Sequence, residues 1–136
     1  MTNERLSRSY LQKAEVRIKA LKFLHQEKGY SDVVREAQEC VELILKAVLR
    51  RLGIEIPKVH DVGRVLMEYR ARIPSPLKEN CEEVATISKS LRKDRELAFY
   101  GTDDFIPTEE YSEKESSEAI QMTERVYDLV SRTFTK

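Results

Sequence analysis

The sequence has few of the residues that would commit it to metal, redox or strand-based chemistry. It holds two cysteines, Cys40 and Cys81, and two histidines, His25 and His60. The cysteines form no CxxC pair, and a structural zinc site wants about four Cys/His ligands at close spacing. No metal and no cofactor is expected, and both thiols are read as reduced small hydrophobes. No apolar run approaches the roughly 18 residues that cross a bilayer. The opening MTNERLSRSYLQKAEVR is charged from its start and lacks an apolar signal core. The expectation is a cytoplasmic protein with no membrane partner. Lys plus Arg and Asp plus Glu number 24 each, so the formal net charge is zero. No global field draws this chain to nucleic acid, and any anion binding must use a local patch. Asn-Gly and Asp-Gly are absent and no alternating pattern is sustained, which excludes hairpins. No glycine-rich phosphate loop and no Ser/His/Asp arrangement stands out.

What is there is helical periodicity over a length of 136 residues, which fits one domain spanning 1–136. Gly29, Gly53 and Gly101 each follow a helical run, where a left-handed C′ glycine is expected. The prolines fall in the gaps. A first helix is predicted over about residues 4 to 28. Tyr10, Ala14, Ile18, Leu21 and His25 lie on one of its faces, and Val16, Ala20 and Phe23 on the other. A second, over about 31 to 52, carries a broad apolar face from Val34 to Leu52 and a cap at Ser31 or Asp32. Asp61 caps a short third helix. Ser75-Pro76 reads as the start of a fourth, running to about Tyr100. The last helix begins at about Thr108, or at Ser112 if the Ser112-x-x-Glu115 capping box is used. The predicted fold is all-α: an antiparallel bundle of four long helices plus one short helix.

The fourth helix holds one residue that packing does not explain. Val84, Ile87, Leu91 and Ala98 form its apolar stripe, and Arg95 lies inside or beside that stripe, one turn after Arg92. A buried, unpaired guanidinium costs several kcal/mol. Arg95 therefore snorkels along the core to water, or pairs with Glu42 or Glu39 of the second helix, or faces an anion in a cleft.

The run SDVVREAQECVELILKAVLRRLGIEIPKVHDVGRVL, followed by a helix ending LRKDRELAFYG, resembles the HEPN domain (higher eukaryotes and prokaryotes nucleotide-binding). The similarity covers nearly the whole chain, including Glu42 and Lys46 in the second helix and the His60-Asp61 start of the third. It implies a helical bundle of the small stand-alone prokaryotic type, commonly dimeric. Many relatives are metal-independent ribonucleases with an arginine and a histidine separated by four to six residues. Others lack the motif and serve as binding partners, often beside a minimal nucleotidyltransferase in a toxin–antitoxin pair.

Carried onto this chain, the family arginine falls on Arg95 and the next position is Glu96. Tyr100 stands where a histidine would open the allowed window, followed by Gly101 and Thr102. No histidine completes the motif. Histidine titrates near neutrality and can serve as base and acid, whereas tyrosine, with an ordinary pKa near 10, is a poor base. The resemblance thus implies a homodimeric, nucleotide- or RNA-associated module, with Arg92, Arg95 and Tyr100 as phosphate-facing residues supported by Glu42, Lys46 and Glu96. The alternative it leaves is a toxin-like endoribonuclease with a variant active site.

Overall fold

The computed structural model describes residues 2–56 and 61–134. The side chains of residues 94–97 and of Phe99 lie outside that description. Six α-helices are present among the described residues: α1 (Thr2–Gln26), α2 (Tyr30–Arg51), α3 (Val62–Glu68), α4 (Cys81–Phe99), α5 (Pro107–Glu110) and α6 (Glu113–Phe134). The all-α HEPN-like class is as expected. The apolar stripes fall where the periodicity puts them, with Val84, Ile87, Leu91 and Ala98 all buried.

The second helix is the axis of the bundle. It touches α1, α3, α4, α5 and α6, which explains why Val33, Cys40 and Ala47 are buried in addition to the predicted face. A helix surrounded on most sides must be apolar on most sides. Small groups at the α1–α2 seam bring the two backbones close. Ser7 Oγ donates to the Ala47 carbonyl (2.8 Å), and Cys40 Sγ lies 3.6 Å from the Ala14 carbonyl.

Helix ends account for most departures from the sequence expectation. Both α1 and α2 finish in Schellman motifs. At the end of α2, Gly53 (φ 71°) donates to Arg50 and the Ile54 amide to Leu49. At the end of α1 the left-handed residue is Lys28 (φ 63°), not Gly29. The link is so short that Gly29 is already needed to start α2: its amide bonds Leu24 and its carbonyl accepts from Val33. Neither Ser31 nor Asp32 therefore caps α2, which starts at Tyr30, and Ser31 is buried in its first turn.

The fourth helix starts later than Ser75-Pro76 suggests. The Ser75–Pro76 bond is cis, a 3₁₀ turn covers Lys78–Asn80, and α4 begins at Cys81. The delay serves Leu77, which is fully buried while its amide donates to Thr133 Oγ1 at 3.1 Å. The last long helix uses the Ser112 capping box. The Ser112 amide and hydroxyl both reach Glu115 Oε1, at 2.8 and 2.9 Å, and Ser112 Oγ accepts from the Lys114 amide. Those bonds hold the Glu115 carboxyl below the usual carboxylate range.

Candidate functional site

The helix α4 and the turn that follows it are held by three local devices. The first is α3. Asp61 caps it by accepting the Arg64 amide at 3.2 Å, and Gly63 lets it lie close against α4. A Cβ on Gly63 would stand 3.2 Å from Ala85 Cα and 3.4 Å from the Ala85 carbonyl. The second is an ion pair: Arg92 Nη2 lies 3.6 Å from Asp61 Oδ2, both side chains about one-third exposed. The third is the turn after α4. Thr102 and Phe105 exchange two backbone bonds, at 2.9 and 3.1 Å. Gly101 takes a positive φ of 70°, and a Cβ there would collide with the Phe105 carbonyl.

These devices fix Arg92 half-buried on one turn and leave Tyr100 78% exposed just past the helix end. Lys89 and Lys93 face solvent. Arg95 and Glu96 belong to the α4 backbone, but their side chains lie outside the described residues, as does that of Leu97. His60 lies wholly outside them.

On α2, Glu42 and Lys46 pair with each other at 3.2 Å, and Glu42 also accepts from Gln38 Nε2 at 3.0 Å. Glu39, the second candidate partner for Arg95, lies 3.8 Å from Arg35, which bonds Glu36 at 2.6 Å. Among the described residues, Glu42 is therefore engaged along its own helix. Gln38, absent from the sequence-derived set, is 3% exposed, and its Oε1 has no partner among the described residues. Its i, i+4 spacing to Glu42 was the available signal. Sequence reasoning also missed Arg92–Asp61, because the partners lie far apart in the chain.

The other candidates resolve into packing. His25 Nδ1 lies 2.7 Å from the hydroxyl of the buried Ser116, with its ring against Tyr30 at 5.4 Å. That histidine joins α1 to α6 as a bonded core-edge residue. Cys40 and Cys81 are free and fully buried. Asp103 and Asp104 are exposed, and no group of three or more metal-ligating side chains occurs among the described residues. No described helix is long and apolar enough to cross a membrane.

No solved structure matches the chain. A Methanocaldococcus jannaschii protein named "Putative toxin MJ1304" is 28% identical over 134 residues, covering 94% of this chain and 88% of that protein. The HEPN domain model matches residues 7–133, nearly the full length, and the chain belongs to the HEPN domain family.

Proposed function

We propose that this chain is a single-domain, cytoplasmic HEPN binding module that works as a homodimer. Two copies of the α4 end face one cleft, where Arg92, Arg95 and Tyr100 meet the phosphates of a nucleotide or RNA. Glu42, Lys46 and Glu96 support that cleft electrostatically. A minimal nucleotidyltransferase is its partner in a toxin–antitoxin pair. One observation carries this reading: the motif position that needs histidine is Tyr100, and among the described residues His25 is engaged with Ser116. Arginine's planar fork binds phosphate without a proton-transfer partner, so binding survives where turnover does not.

The alternative is a metal-independent endoribonuclease with a variant site. The toxin name of the archaeal relative favours it. One experiment separates the two. The purified chain is incubated with total RNA, its mass is measured by sedimentation, and it is co-expressed with a minimal nucleotidyltransferase. Dimer mass, co-purification and no cleavage fit the binding module. Cleavage that Arg95→Ala abolishes establishes the nuclease instead, and a monomer without a partner sinks the cleft altogether.

A further inference from the structure

The bundle leaves the outer face of α1 uncovered, and that face is not uniformly polar. Val16 is 65% exposed and Phe23 61% exposed, with Ala20 also exposed between them. Seven residues apart, Val16 and Phe23 share one stripe. Scattered exposed apolar residues are ordinary. Here they line up, and Val16 borders a shallow depression formed with Gln12, Lys13 and Arg17. Aligned apolar surface of this kind marks an interaction site.

The ridge is flanked by cations. From Gln12 to Phe23 the helix carries Lys13, Arg17, Lys19 and Lys22 against Glu15 alone. Lys22 is paired with Glu124 at 3.0 Å, and Arg17 stands 3.8 Å from Glu36. Lys13 and Lys19 have no ion-pair partner among the described residues.

We propose that this face docks an acidic amphipathic helix of a partner protein. Two apolar residues of that helix, seven apart, sit on Val16 and Phe23, and its carboxylates lie towards Lys13, Lys19 and Arg17. Charge selects this occupant. Antiparallel self-pairing that matches Val16 with Phe23 of a second copy centres between Lys19 and Ala20. It sets Lys19 beside its own counterpart, and like charges in register disfavour the pairing. A polyanionic RNA backbone meets the neighbouring α1–α6 groove, whose lining sets Glu15, Glu124 and Asp128 against Lys19 and Lys22. A helix can place carboxylates opposite Lys13, Lys19 and Arg17 alone, which a nucleic acid cannot. The surface uses none of Arg92, Arg95 and Tyr100, so it stands or falls apart from the proposed cleft.

The test uses two labelled helical peptides with the same leucines seven apart, one flanked by glutamates and one by lysines, read by fluorescence anisotropy. The glutamate peptide is expected to bind at least about tenfold more tightly. Lys13→Glu with Lys19→Glu should reverse that preference. Val16→Ser with Phe23→Ser should weaken the glutamate peptide by roughly tenfold or more at unchanged melting temperature. Equal affinities, no binding of either peptide, or full binding to the serine variant would overturn the proposal. So would a fall from dimer to monomer mass in the serine variant, which assigns the face to a second copy. Tighter binding of a poly-uridine oligonucleotide that the serine variant loses would assign it to RNA.

Discussion

Asp61 serves two helices at once: Oδ1 accepts the Arg64 amide that opens α3, while Oδ2 stands 3.6 Å from Arg92 on α4. The residue that starts the short helix therefore also tethers the helix that carries Arg92. Asp61 thus ties the start of α3 to α4. Any anion that approaches Arg92 must share that guanidinium with Asp61.

The double role predicts a graded stability loss. Asp61→Ala removes cap and ion pair together and should cost about 1–2 kcal/mol, most of it from the cap. The partly exposed pair contributes no more than about 1 kcal/mol. Asp61→Asn keeps a capping oxygen and should cost less than half as much. Urea unfolding of the two variants decides this; equal losses would mean that the cap is not the main term.

The same carboxylate competes with ligand phosphates, so the two partners should act in opposite directions on binding. Asp61→Asn frees Arg92 and is expected to raise affinity for a poly-uridine oligonucleotide a few-fold. Arg92→Ala should lower it by a similar factor, as loss of one phosphate contact does. Anisotropy titrations at two salt concentrations check both, with a shallower salt dependence expected for Arg92→Ala. Movement of both variants in one direction would place the anion away from Arg92.

Gly63→Ala sets helix propensity against packing. In an exposed helix the change would stabilise by about 0.8–1 kcal/mol. Here the new Cβ meets the Ala85 backbone at 3.2 Å, and a backbone atom cannot rotate away. Relief requires α3 to shift off α4, loosening the contact that Asp61 and Arg92 close. The expected outcome is a net destabilisation of about 1–2 kcal/mol, seen as a lower melting temperature. A stabilised variant would show that α3 yields without cost.

Helix positions and buried stripes were legible in the chain because they follow from local periodicity, as Val84, Ile87, Leu91 and Ala98 show. Capping chemistry with a unique residue pair was legible too, at Asp61 and at Ser112–Glu115. Competition between neighbouring elements was not. Lys28 takes the left-handed turn because Gly29 is needed by the next helix, and Leu77 delays α4 because it is anchored beside Thr133. In the candidate site, the sequence singled out Arg92, Glu42 and Lys46 as expectations but gave no pairing for Arg92. Asp61 is 31 positions away in the chain, and only the packing of α3 on α4 brings it there.

Cys40 gives the clearest pH signature. Its thiol is fully buried against α1, and burial pushes its pKa from 9.0 up to about 12. Arg17 opposes that rise and Glu36 adds to it, both to a smaller extent. In the unfolded chain the thiol ionises at its ordinary value of about 8.5–9. Below that value both states hold the proton and the group has no effect on stability. Above it the unfolded state loses its proton while the folded state keeps it, so stability falls as pH rises, until the folded thiol also ionises near 12. For Cys40 alone the loss between about pH 8.5 and 10 should be roughly 1–1.5 kcal/mol. Burial raises Cys81 as well, which adds in the same direction. Urea unfolding across that range should therefore show a shallower pH dependence for Cys40→Ala than for the natural chain, whatever the variant's absolute stability. The native thiol should also resist iodoacetamide at pH 8 and react once urea opens the bundle. Parallel pH profiles for the two chains, or rapid native alkylation, would mean that α1 exposes Cys40 far more readily than its packing against Ala14 implies.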